Sequence, residues 1–152
     1  MRFLSLLLLA AVLSAPGLVS AAPAAEAELK ADLARLQGKW KGKVTGDDSG
    51  HSWMLEVKGN QGTLTVSNGD GDVVVKATCD FKLEQHGRFR AFTYSNLKYI
   101  TGDKAGETEL TGGKTQSSLY RFQGDSQLST IGGFRDDAGD DPQWLIPWEK
   151  VQ

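Results

Sequence analysis

LQGKWKGKV, residues 36–44, is where the sequence changes period. Up to Leu36 the apolar residues recur at helical spacing. Leu29, Leu33 and Leu36 stand at i, i+4 and i+7 of AAEAELKADLARLQ (24–37), one stripe along one side of a helix. Glu26 and Glu28 near its start, with Lys30 and Arg35 further on, complement the helix dipole. Gly38 takes the position after the last turn, where a left-handed backbone costs glycine little. From Lys39 onward the period is two: Lys39, Lys41 and Lys43 alternate with Trp40, Gly42 and Val44. Side chains two apart share one face of a strand, so a helix running straight into a one-sided strand is predicted.

The same alternation continues downstream. Trp53, Leu55 and Val57 oppose Met54, Glu56 and Lys58, and Gly62, Leu64 and Val66 oppose Thr63, Thr65 and Ser67. The longest run sets Val73, Val75, Ala77, Cys79, Phe81 and Leu83 on one face, with Lys76 and Lys82 on the other. Further strands are predicted near 88–95, 116–123, 126–132 and 144–151, the last carrying Pro147 at an edge or bulge. GDDSG, KGNQG, SNGDGD and QHG supply turns between them. The glycine- and charge-rich stretch 96–115 reads as a long loop with a short strand at Tyr99 and Ile100. Eight one-sided strands after one helix favour a closed antiparallel up-and-down barrel, which leaves no open edge, or a sandwich.

The chain opens with Arg2, an apolar run from Phe3 to Leu13, then Pro16 and Gly17 and small residues ending Val19-Ser20-Ala21. That order predicts a secretory leader over 1–21, cleaved after Ala21, rather than a membrane span. Residues 22–152 are then one exported domain, periplasmic or extracellular, with no membrane span after cleavage. A net charge of −2 argues against nucleic acid as a partner, which would call for a basic face. Cys79, the single cysteine, cannot form an internal disulfide, so packing alone must hold the domain, and a monomer is expected.

With Leu36, Gly38 and Trp40 opening a chain of antiparallel strands, the sequence resembles the start of a lipocalin, whose first strand begins G-x-W. VVVKATCDFKL (73–83), SLYRFQGDSQL (118–128) and WLIPWEKV (144–151) resemble, in order, pieces of a bacterial lipocalin-like domain family of unknown function within the calycin superfamily. The resemblance implies an eight-stranded barrel with Gly38 and Trp40 in structural roles, Trp40 closing the bottom beneath the helix. Lipocalins stack an arginine from the last strand on this tryptophan; here that strand offers Lys150, and the sequence leaves open whether it takes that place.

Motifs for chemistry are sparse. GDDSG (46–50) beside His51 and GDSQL (124–128) resemble serine-hydrolase fragments, but both read as turns without the base, orienting group and oxyanion site a nucleophile needs. Asn68, Asp70 and Asp72, and the cluster Asp136, Asp137, Asp140 and Asp141, lack the glutamate spacing of a calcium loop. His51 and His86 stand far apart, and no glycine-rich phosphate loop is present, so neither metal nor cofactor is implied. The expectation is a non-catalytic barrel. Trp53, Phe81, Phe89, Tyr120 and Trp148 are expected on or near inward faces, and Trp53, Val73, Tyr120 and Trp148 are the expected wall of a site for a small apolar or amphipathic molecule. The alternative is an envelope interaction or structural protein whose interior is filled; an eight-stranded barrel allows either.

Overall fold

In the computed structural model, which describes residues 22–132 and 144–151, helix α1 (Ala22–Leu36) is followed directly by β1 (Gly38–Gly42). Gly38 makes the turn at φ +107°, a conformation side chains resist. Gln37 fixes the junction, its amide donating to the carbonyl oxygens of Leu33 and Gly59 and accepting from the Gly59 N–H at 2.7 Å. The expected leader at 1–21 and the cluster Asp136, Asp137, Asp140 and Asp141 lie outside the described residues. Among the described residues, no helix is long and apolar enough to cross a membrane.

The strands are β2 (Ser52–Lys58), β3 (Gln61–Ser67), β4 (Val73–His86), β5 (Phe89–Thr101), β6 (Thr108–Glu109), β7 (Gln116–Phe122), β8 (Gln127–Gly132) and β9 (Trp144–Val151). All pairings are antiparallel. β1 to β5, then β7, β8 and β9, form a ring that closes when β9 pairs with β1, while β6 adds a short pairing along the outer part of β5. The described residues therefore form a closed eight-stranded antiparallel barrel with one helix.

One end of the barrel is plugged. Leu36 and Trp40 are buried there with Val57, Phe81 and Leu128, and Trp40 has 0% of its surface exposed. The Trp40 indole donates to the Leu36 carbonyl at 2.7 Å, so its one polar atom is satisfied inside the core. Lys150 does take the place against the ring: its Nζ lies 5.2 Å from the Trp40 centroid and donates to the Arg35 carbonyl at 2.8 Å. The helix is also held by Asp32, only 2% exposed, which accepts from Arg90 at 2.6 Å and from the Tyr120 hydroxyl at 2.9 Å. The opposite end carries the connections 43–51, 68–72 and 102–115.

Two expectations about β5 are corrected. The strand runs on to Thr101 and recruits β6, so 96–101 and 108–109 are strand, and only the rest of 96–115 is loop. Between Thr78 and Asp80 the partner positions jump from Lys98 to Ser95, an extra residue on β5 where Asn96 sits at φ +50°. The Asn96 amide donates to Asp80 at 2.9 Å and its N–H to the Leu110 carbonyl at 3.0 Å, which holds the bulge. A strict period of two loses the strand at such a point. Phe89, expected to face inward or nearly so, is 63% exposed at the β4–β5 hairpin. Phe92 and Tyr94 face the interior, so the strand presents its even-numbered side chains inward before the bulge. Lys39, Lys76 and Lys82 are exposed as expected; Phe81 is buried, while Val75 and Cys79 are half-buried rather than fully covered.

Candidate functional site

Inside the ring, between the plug and the open end, lies a cavity of about 340 Å³. Its depth follows from the sequence pattern. Small or branched inward residues on β3 and β4, Leu64, Ala77 and Cys79, leave room that the larger aromatics of β2, β5 and β9 do not fill. Gly42 contributes in the same way. A Cβ there would stand 2.7 Å from Ile146 and 2.8 Å from Trp148, so glycine lets β1 and β9 close with those side chains turned in.

Three of the four residues expected to form a wall line this cavity. Trp53, Tyr120 and Trp148 line the cavity together. Trp148 donates its indole N–H to Thr130 Oγ1 at 2.9 Å. Trp53 Nε1 is buried and has no hydrogen-bond partner among the described residues. Tyr120 joins the cavity to the plug, because its ring lines the space while its hydroxyl is bonded to Asp32. Burial, then the Asp32 contact, push the Tyr120 phenol well above its ordinary value, so it stays a proton donor.

Val73 is the correction. It is 51% exposed and does not line the cavity. Val66 pairs with Val75, yet the next residue, Ser67, pairs with Val73, so Val74 is an extra residue. The bulge reverses the facing of everything before it.

The polar groups of the cavity gather toward its open end. Lys104 Nζ meets Glu109 Oε1 at 2.6 Å, Tyr99 donates to Glu109 Oε2 at 3.3 Å, and Lys104 lies 5.4 Å from the Tyr99 ring centroid. The hydrogen bond to Glu109 raises the Lys104 pKa; burial, followed by Glu109, raises that of Tyr99. The ammonium and carboxylate are thus matched across an opening that is otherwise aromatic and aliphatic. Sequence reading missed all three because they lie in the stretch whose composition reads as a loop. The signal that would have found the neighbouring wall was available: Phe92 and Tyr94 are large aromatics two apart, against the small Ala91 and Thr93 between and beside them.

Cys79 also lines the space, and burial pushes its thiol up to about 11, which keeps it protonated near neutrality. In the 46–51 turn, Ser49 Oγ and His51 Nδ1 are 2.5 Å apart and Asp47 Oδ2 lies 3.8 Å from that same Nδ1. A hydrolase base uses its two ring nitrogens for two different partners, and here both contacts fall on one. Asn68 accepts from the N–H groups of Asp70 and Asp72 at 3.1 and 2.8 Å, so its side chain shapes the turn. Among the described residues, no group of three or more His, Cys, Asp or Glu side chains is placed to hold a metal ion.

No protein-family model, curated protein or solved structure matches the chain.

Proposed function

We propose that this is an exported, lipocalin-like, non-catalytic protein that holds a small apolar or amphipathic molecule inside its barrel. The observation that carries the reading is the 340 Å³ cavity walled by Trp53, Tyr120 and Trp148. Its volume is at the lower end of the roughly 300–1,000 Å³ typical of small-molecule sites. An apolar body would lie against the aromatic wall, and a hydrogen-bonding end would reach the Tyr99, Lys104 and Glu109 group. The pairing of that cation and anion favours a neutral or zwitterionic end over a bare charge.

The test is titration with N-phenylnaphthylamine, a neutral aromatic fluorophore, read by tryptophan quenching. Saturable quenching is expected, weakened about tenfold, or ~1.4 kcal/mol, by Trp53→Ala. Met54→Ala, on the outward side of the same strand, should change it less than about twofold. Equal effects at the two positions, or no saturation, would refute a site in the barrel. Export rests on the sequence of residues 1–21 and is checked separately: the soluble protein should begin at or close to Ala22 on N-terminal sequencing, and an intact Met1 would refute it.

A further inference from the structure

A second concavity opens at the rim of the barrel's plugged end, between the plug and the outer face of β5, β7 and β8. It is lined by Arg35, Arg88, Arg90 and Arg121 together with apolar side chains that include Phe89 and Ile131. Leu119 and Ile131 in its lining belong to an outward-facing row of apolar residues that runs across four strands. Ala91 is opposite Leu119, Leu119 opposite Ile131, and Ile131 opposite Leu145, and residues directly opposite in antiparallel strands share a face. Ile131 and Leu145 are exposed at 38% and 40%, and Phe89, beside the hairpin tip, at 63%.

The charges here are unequally matched. Arg90 is neutralised by Asp32 and Glu28, and Arg35 faces Asp125 at 3.3 Å. Arg88 and Arg121, both exposed, have no acidic partner among the described residues. In a protein of net charge −2, two guanidinium groups unmatched among the described residues therefore stand beside Phe89, which is 63% exposed.

We infer that this outer face docks on an anionic phospholipid surface, with Phe89 entering the interfacial layer and Arg88 and Arg121 engaging phosphates. Guanidinium groups pair with phosphate oxygens through two parallel hydrogen bonds, and an aromatic ring beside them suits the headgroup boundary. A lipid surface fits better than an acidic peptide strand because β5, β7 and β8 are each paired on both sides here, so no strand edge is open to extend the sheet. Docking does not depend on the cavity being occupied.

Sedimentation of the soluble purified protein with vesicles of mixed phosphatidylglycerol and phosphatidylcholine tests this. Binding is expected to those vesicles, to fall about tenfold on pure phosphatidylcholine, and to weaken with added salt. Arg88→Gln and Arg121→Gln should each lower partitioning about fivefold, and Phe89→Ser by a comparable factor. All three side chains are exposed, so circular dichroism should report an unchanged fold in each variant. Failure to bind the anionic vesicles would overturn the inference, as would binding that ignores all three substitutions. Capture of a polyglutamate peptide by the arginines without vesicle binding would overturn it in favour of a protein partner.

Discussion

Trp40 meets the helix through its indole N–H, the last strand through Lys150, and β7 through Phe122, whose ring lies 6.0 Å away. One side chain thus ties the helix just before it to two strands that are remote in sequence. Trp40→Ala should cost about 3–5 kcal/mol in chemical denaturation, because the plug cannot collapse around the space left behind. A loss under about 1 kcal/mol would show that the ring is dispensable. Cys79 gives a second test. With its thiol near pH 11 against an ordinary 9.0, the folded protein holds about a hundredfold less thiolate at pH 8 than the unfolded chain. Labelling by iodoacetamide should be slower by at least that factor in the native state and should climb as pH approaches 11; rapid labelling at pH 8 would show an open interior. Inward-facing positions were legible wherever a strand kept strict alternation, as for Trp53 and Phe81. They were lost at Val73, behind a bulge, and at Phe89, where an aromatic at a hairpin tip looks like one in a core until its neighbours Phe92 and Tyr94 settle the parity.

The helix stands apart from the strands in how it is held. Its apolar contact is small, chiefly Leu33 and Leu36, and the polar contact of Asp32 with Arg90 and Tyr120 does the rest. Burial opposes the Arg90 charge, and the hydrogen bond and charge of Asp32 more than offset it, leaving the guanidinium pKa raised. Asp32→Asn should destabilise the fold by about 1–3 kcal/mol, since Asn cannot match the half-buried guanidinium. The equilibrium midpoint in urea reads this, and an unchanged midpoint would show that Asp32 is incidental. For the strands, the tightest approach is β1 against β9. Gly42→Ala would press a methyl on Ile146, Trp148 and the Pro147 carbonyl and should cost about 1–3 kcal/mol, whereas Gly124→Ala in the β7–β8 turn meets no atom within 4 Å and is opposed only by its φ of +77°. Element boundaries for α1, β7, β8 and β9 could be read from turn residues and period. The extent of β5 could not, because Asn96 moves the inward face by one residue and charged Lys98 and Lys104 disguise the chain beyond it.

At the scale of the molecule, the number of strands and their antiparallel order follow from one-sided alternation and short turns, and so were accessible from sequence. Whether the interior is empty was not, because the same aromatic inventory either fills a barrel or lines it, and the outcome depends on how strands of different length tilt against one another. Closure of the ring also shapes how the chain can assemble. Seven of the ring's eight pairings join barrel strands that follow one another along the chain, and the eighth joins Lys39 to Val151, more than a hundred residues away. Local hairpins can form early at little entropic cost, but the last seam must wait until both ends of the chain meet. Until then β1 and β9 are two bare edges on one molecule, and each is a template for the complementary edge of another copy. The particular danger for this fold is therefore exchange of a terminal strand between chains during refolding at high concentration, a dimer locked by the same seam that makes the monomer whole.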